Sequence, residues 1–313
     1  MNKRIVVLLG VVVCVAAVAL FVMLRPRPVA LGLQPGTVNY PMMHAIQAGF
    51  FENQGLKPEV TVFRSANDAL DAVLGGSIFL DAVIPVQNIA TIQKDQPGVL
   101  RIAAFLISDK EHPLDYLVVP ANSEITKPEQ LAGKTIVVFP GSYSETVTRL
   151  TLKKIGVNEV TFLKRAPADM PQALQSGEAD AGIFYDPVAT MAAKQGWGRI
   201  LEAGFWESHL LPAIVVGGYT FNSQYADNNP TVAQKCLTGL RTAILDGRRK
   251  PTQAKKAAAA YLEQFASVLG NIPNARVELA DEIDPELIDA TLKLYVDNGL
   301  LEEFVDLRPL LLK

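Results

Sequence analysis

The sequence predicts an α/β protein built from two similar units in tandem behind a short apolar leader. Three observations carry that expectation. From Val29 onward, short β-branched runs alternate with amphipathic segments, the pattern of largely parallel sheets covered by helices. The order of those segments repeats at an offset of about 100 residues. The start of the chain stands apart: Lys3-Arg4, an uncharged run from Ile5 to Leu24, then Arg25-Pro-Arg-Pro28.

That run of twenty residues, at about 1.5 Å each, would span about 30 Å, roughly the core of a bilayer. Its length and basic flanks read as an export signal that either stays as an N-terminal anchor or is cleaved within Val-Ala-Ala-Val-Ala. Cys14 sits mid-run after a valine, which does not fit a lipid-anchored cysteine. Residues 1–28 are therefore assigned to targeting, and the remainder is expected to work in the periplasm or elsewhere outside the cytoplasm.

In the first unit, Val29–Leu33 reads as a strand and Pro41–Ala48 as a helix with proline in its first turn. Pro58–Phe63 is the next strand, Asn67–Leu74 a helix capped by Asn67, and Leu80–Ile84 a third strand. The second unit repeats this order: strand Thr135–Phe139, a helix from about Ser142, strand Val160–Leu163, helix Met170–Gln175, strand Asp180–Phe184. Details match as well as order. Gly55-Leu56 before Val60 parallels Gly156-Val157 before Val160, and Asp81-Ala-Val-Ile-Pro85 parallels Asp180-Ala-Gly-Ile, with Pro187 a little further on. Helices are also expected around Thr231–Leu245, Pro251–Phe265 and Pro285–Asn298.

Composition narrows the function classes. Of 313 residues, 49% are hydrophobic and 19% charged, with a formal net charge of −3, and no basic block suggests a nucleic-acid partner. Two cysteines, Cys14 and Cys236, give no disulfide framework, and no His or Cys pair has metal-ligand spacing. No cofactor is expected. The stretch Phe-Pro-Gly-Ser-Tyr-Ser-Glu-Thr, 139–146, is neither a phosphate loop nor a G-x-S-x-G elbow. Ser142-Tyr-Ser-Glu145 instead fits a capping box in which Glu145 reaches back to Ser142. Such a helix end still offers amides at Tyr143 and Ser144, hydroxyls and a positive dipole end to a small polar or anionic group. The three histidines, His44, His112 and His209, read as structural or solvated. The sequence thus points to binding, with no catalytic residues.

In open α/β sheets small molecules bind beyond the carboxyl ends of the strands. The loops there are 34–40, 64–67 and 85–87 in the first unit, and 140–144 and 185–187 in the second. The motifs Leu31-Gly-Leu-Gln-Pro35, Ala48-Gly-Phe-Phe-Glu-Asn-Gln-Gly-Leu56, Leu131-Ala-Gly-Lys-Thr-Ile-Val-Val with Gly141-Ser142, and Tyr185-Asp-Pro187 resemble the substrate-binding proteins of ABC importers. The nitrate, sulfonate and taurine branch, which includes binders of thiamine-pyrimidine precursors, is the most similar. The resemblance runs from Val29 to the C-terminus. It implies two Rossmann-like lobes joined by two crossing strands, the type II periplasmic binding protein fold, closing on a ligand by hinge motion. The crossings would fall near Asp109–Asp115 and Leu211–Tyr219, giving one lobe of 29–113 with 213–313 and a second of 114–212.

Carried over residue by residue, the resemblance places Gln34, Asn39, Tyr40, Asn67, Pro85, Gln87, Ser142, Tyr143, Ser144, Tyr185 and Asp186 at the ligand. Pro85-Val86-Gln87 stands where many members have Thr-Gly, and the pyrimidine binders' cysteine-rich motif is absent. Tyr40, Tyr143 and Tyr185 suit the walls of a site for a flat ligand, with Asp186 open to a cationic group. The implied function is a monomeric receptor that delivers a small molecule to an ABC permease and its ATPase, with membrane contact through the N-terminal segment if uncleaved. Two alternatives stay open: an enzyme or sensor on the same fold, and a membrane-anchored binder of lipid or apolar ligands.

Overall fold

The computed structural model describes residues 26–34, 36–63, 65–140 and 143–312. Of the residues 1–28 assigned to targeting, 1–25 lie outside the described ones, whereas Arg27 and Pro28 already belong to the first strand. Among the described residues no helix is long and apolar enough to cross a membrane.

The chain opens with strand β1 (Arg27–Leu33), helix α1 (Tyr40–Gln47), β2 (Leu56–Val62), α2 (Ala66–Leu74), β3 (Leu80–Pro85), α3 (Val86–Asp95) and β4 (Leu100–Asp109). It continues through β5 (Asp115–Pro120), β6 (Thr135–Val138), α4 (Tyr143–Lys154), β7 (Thr161–Lys164), α5 (Met170–Gln175), β8 (Ala181–Tyr185), α6 (Val188–Gln195), β9 (Gly198–Ala203) and α7 (Phe205–His209). The remainder comprises β10 (Ala213–Asn222), α8 (Ser223–Asn228), α9 (Pro230–Arg249), α10 (Pro251–Ala259), β11 (Arg276–Leu279) and α11 (Pro285–Asp297).

These strands form two sheets, ordered β11-β4-β10-β3-β1-β2 and β7-β6-β8-β5-β9. Leaving out the edge strand β11, the orders are equivalent. Each sheet begins as a parallel second-first-third set, and an antiparallel strand from elsewhere in the chain separates its third strand from its fourth. Equivalent strands start about 100 residues apart. The expected α/β architecture therefore forms, with the repeat expressed as identical strand order. The chain passes from the first sheet to the second between β4 and β5, and returns between α7 and β10.

Local chemistry explains the element boundaries. β1 starts at Arg27, two residues ahead of the expected Val29, because its parallel pairing with β2 runs from Arg27 opposite Leu56 to Leu33 opposite Val62. The cap of α2 is Ser65, whose hydroxyl accepts from the Asp68 amide at 3.2 Å, whereas Asn67 lies inside the first turn. On α9 the residues Val232, Ala233, Cys236, Leu240, Ala243 and Ile244 are buried, a stripe at helical spacing that makes Cys236 a core residue. The predicted helix from Pro251 breaks after Ala259, and Glu263–Phe265 forms a separate short turn.

Apolar packing covers both faces of the first sheet. One cluster joins Leu31, Met42, Phe51 and Leu240; the other joins Ile84, Ile89, Phe105 and Tyr295 and continues through Trp206 into Leu117, Ile136 and Ile183 of the second sheet. Close approach fixes Gly217 in β10, where a Cβ would lie 2.4 Å from the Ile84 carbonyl oxygen of β3. In the same place Val83 takes a φ of 64°, an uncommon conformation for a β-branched residue, beside a register shift between Gly218 and Thr220.

Candidate functional site

The loops after β1, β6 and β8 meet where the two sheets face each other. Gln34, at the end of β1, donates from Nε2 to Asp81 Oδ2 of β3 at 3.1 Å, and Asn39 Nδ2 donates to the Gln34 carbonyl at 2.5 Å. This bracing sets the start of α1. Asn39 is fully buried, and among the described residues neither its Oδ1 nor the hydroxyl of the buried Tyr40 has a hydrogen-bond partner. Burial raises the Tyr40 phenol well above its ordinary range, and the negative charge of Asp186, from the opposite sheet, adds to that shift.

The second sheet contributes Tyr143, Ser144, Tyr185 and Asp186. Tyr143 opens α4, and its hydroxyl lies 3.1 Å from the Tyr295 hydroxyl on α11, joining the helical layers of the two sheets. Its ring stands edge-on to Trp206 at 5.7 Å. Tyr185 stacks on Phe139 with centroids 4.5 Å apart and an interplanar angle of 15°, and meets Trp206 edge-on at 6.0 Å. Buried Ser144 faces the Tyr185 phenol without forming a hydrogen bond of good geometry. Burial pushes the Tyr143 and Tyr185 phenols upward; the neighbouring Tyr295 hydroxyl adds to the first shift and the Asp115 carboxylate to the second. All three site tyrosines are thus neutral hydroxyls at ordinary pH, able to donate or accept.

Asp186 is buried and accepts from the Thr190 amide at 2.9 Å through Oδ1, holding the first turn of α6. Burial raises its pKa, and hydrogen bonds from Thr190 and Tyr116 oppose the rise. A cation-seeking carboxylate was the expectation; here the carboxylate serves a helix start and a phenol. The other expected residues divide. Pro85 ends β3 and is half-buried. Gln87 donates to the Leu300 carbonyl at 2.8 Å, fastening α3 to the C-terminal segment. Asn67 is exposed, with Asn88 as its partner at 3.4 Å. Ser142 lies outside the described residues. The Glu145 half of the expected capping box goes to cations instead: its two oxygens lie 2.8 Å from Arg149 and 2.8 Å from Lys164.

Tyr116, Phe139, Trp206 and Tyr295 belong to this site and were not singled out from the sequence. Phe139 opens the quoted stretch and carried a usable signal. Tyr295 is 152 positions from Tyr143 and carried none.

Beside the aromatic wall, the segments that link the sheets enclose a buried acid cluster. Ser108 is the last but one residue of β4, Asp115 begins β5 and Glu207 lies in α7. Ser108 Oγ donates to Glu207 Oε1 at 2.7 Å and accepts from the Leu114 amide at 3.1 Å; Asp115 Oδ2 accepts from the Trp206 amide at 3.2 Å. Burial, then the adjacent Glu207, raises the Asp115 pKa well above the usual carboxylate range, and burial raises that of Glu207. Burial of the two acids side by side disfavours ionisation of both at once.

Two sheets of equivalent strand order, crossed twice by the chain and meeting at their strand ends, define the periplasmic binding protein fold. Comparison with solved structures agrees. The alkanesulfonate-binding protein SsuA from Xanthomonas axonopodis pv. citri, bound to MOPS, superposes with a TM-score of 0.71 at 21% identity, covering 92% of this chain and 99% of that one. The desulfurization enzyme DSZB superposes with a TM-score of 0.64 at 15% identity, covering 91% and 96%. In sequence, a protein of Escherichia coli (strain K12) described as an aliphatic sulfonates-binding protein is 23% identical over 292 residues, 90% of this chain and 88% of that relative. The NMT1/THI5-like family model matches residues 37–254. The chain belongs to that family.

Proposed function

We propose that the protein is an extracytoplasmic solute-binding receptor of an ABC importer, whose site lies between a lobe of residues 29–113 with 213–313 and a lobe of residues 114–212. One observation carries the reading: the site is assembled from both sheets. Asn39, Tyr40 and Tyr295 come from the first, Tyr143, Ser144 and Tyr185 from the second, and the Tyr143–Tyr295 contact at 3.1 Å bridges them. Residues so divided come together only when the halves close, which makes closure the binding event. The orphaned Asn39 Oδ1 and the Tyr40 and Ser144 hydroxyls then supply neutral hydrogen-bonding groups to a small polar ligand, with Tyr143, Tyr185 and Trp206 as aromatic walls. The sulfonate-binding relatives favour a sulfonate or another small anion, and the aromatic walls favour a flat ring. An organic anion with a planar body satisfies both.

The proposal includes no chemistry. Each histidine pairs with a carboxylate, His44 with Asp246, His112 with Asp109 and His209 with Glu202, and among the described residues none hydrogen-bonds to Ser144, so no base is placed to activate its hydroxyl. The proposed setting is the periplasm, reached through the N-terminal segment, with a permease and its ATPase as partners.

Mass spectrometry of small molecules released from the purified, denatured protein identifies the solute. Solution scattering with and without that solute then tests closure. A smaller radius of gyration in the bound state is expected, and an unchanged profile at saturation refutes binding by closure.

A further inference from the structure

A cavity of about 500 Å³ lies outside the aromatic site. It is bounded by the first turn of α1, the end of α9, the start of α10, strand β11 and His112 of the segment linking the sheets. Its lining residues fall between 40 and 112 or between 243 and 282, so residues of the second sheet play no part in it. A ligand there needs no closure. Only Tyr40 is shared with the aromatic site.

The charges around this cavity are nearly all committed. Arg276 pairs with Asp109 at 2.8 Å and with Glu278 at 2.5 Å. Arg248 pairs with Glu282 at 2.8 Å and also donates to the Val277 carbonyl. Lys255 differs. Its Nζ donates to the Ile272 carbonyl at 2.5 Å, and among the described residues it forms no ion pair. It is half-buried on α10, and burial lowers its pKa, the signature of an ammonium short of solvent and counter-charge. Around it Ile244, Ala254, Ala275 and the ring of Tyr40 supply an apolar wall.

We propose that this cavity is a second binding site, taking a small organic monoanion whose charged group pairs with Lys255 and whose short apolar body lies against Ile244 and Ala254. One uncompensated cation favours a single negative charge, and Glu278 and Glu282 in the same wall oppose a second. A cavity of this size falls within the range of about 300–1,000 Å³ typical of small-molecule sites.

Hexanoate is a suitable probe and hexylammonium its control, each titrated calorimetrically into the full-length protein. One saturable hexanoate site and no hexylammonium site are expected. Lys255→Gln keeps a donor for Ile272 while removing the charge, and should weaken hexanoate at least about tenfold, as for loss of a charge-assisted hydrogen bond. Ala254→Leu, which fills the cavity from the same helix, should abolish binding, with thermal melts confirming that both variants fold. Tyr143→Ala, at a residue that does not line this cavity, should leave hexanoate affinity within about twofold, as expected for separate sites. Equal affinity in Lys255→Gln and wild type, absence of saturable hexanoate binding, or its loss in Tyr143→Ala would each overturn the assignment.

Discussion

Replacing Asp115 with Asn tests whether the buried acid cluster holds a proton. Asp115 is fully buried and Glu207 is 5% exposed; burial and then Glu207 raise the Asp115 pKa, burial raises that of Glu207, and the donors around them, Ser108 and backbone amides such as that of Trp206, are neutral. The sign follows from the direction of the shift. A carboxyl whose folded pKa exceeds its unfolded value near 3.9 contributes its full stability below that value. It loses that stability as pH rises through the window up to the folded pKa. Because the folded state retains one more proton than the unfolded chain there, the unfolding free energy should fall by about 1.4 kcal/mol per pH unit. Asn keeps the volume, can accept from the Trp206 amide and can donate to Glu207, leaving a single carboxylate with nothing to share. Its profile across the window should therefore be flatter by about that slope.

Urea unfolding followed by tryptophan fluorescence at pH 4.5, 5.5 and 6.5 measures the slope for each protein. Taking the difference between wild type and Asp115→Asn removes the groups that both share. Among these are Asp246, held low by hydrogen bonds from Lys250 and His44, and Glu145, held low by Lys164 and Arg149. Their stabilisation is lost only as pH falls through their depressed folded values. Parallel profiles for the two proteins would refute the shared proton.

Three further outcomes are expected. Ser65→Ala removes the hydroxyl that caps α2 and should lower stability by about 1 kcal/mol in urea titration; a neutral result would place the cap elsewhere. Gly217→Ala drives a Cβ to 2.4 Å from the Ile84 carbonyl oxygen, a backbone atom that cannot rotate away. Overpacking of this kind costs about 1–3 kcal/mol, and a melting temperature equal to wild type would contradict the close approach. Ser144→Ala should weaken the identified solute by about 0.5–1.5 kcal/mol in calorimetric titration, because it removes one neutral hydrogen bond. Its melt should hardly move, and unchanged affinity would take Ser144 out of the binding site.

What the sequence showed was largely what is local or periodic. The β-branched runs, the amphipathic stripe around Cys236 and the repeat of Asp81-Ala-Val-Ile at Asp180 all report on single elements or on their order, and the two equivalent sheets follow from them. Choices between near-equivalent neighbours were less legible. Ser65 and Asn67 both suit a cap; the helix starts at Ala66, so Ser65 takes the role and accepts from the Asp68 amide. Glu145 was legible as a capping glutamate because Lys164, which takes one of its oxygens, arrives from a different strand. At the candidate site, Tyr40, Tyr143 and Tyr185 were marked by their loops. Trp206 and Tyr295 were not, since nothing local distinguishes an aromatic that faces a cleft from one that fills a core.

Trp206 is nevertheless the residue through which the two buried features meet. Its amide donates to Asp115 in the acid cluster, and its indole nitrogen donates to Thr148 on α4 at 3.1 Å. Its ring lies edge-on to both Tyr143 and Tyr185. It belongs to α7, the last element before the chain returns to the first sheet, and Gly204 just ahead of it has a φ of 66° with no room for a Cβ, 2.6 Å from Glu207 Oε1. The ring is thereby held from three directions: by the crossing segment, by the helix that starts with Tyr143, and by the packed core. On the proposed closure, a wall fixed in this way leaves the first sheet's Tyr40 and Tyr295 as the groups that would approach and withdraw. On that proposal, binding energy would be spent on bringing the sheets together and not on ordering Trp206, which is the physical meaning of a preorganised half-site.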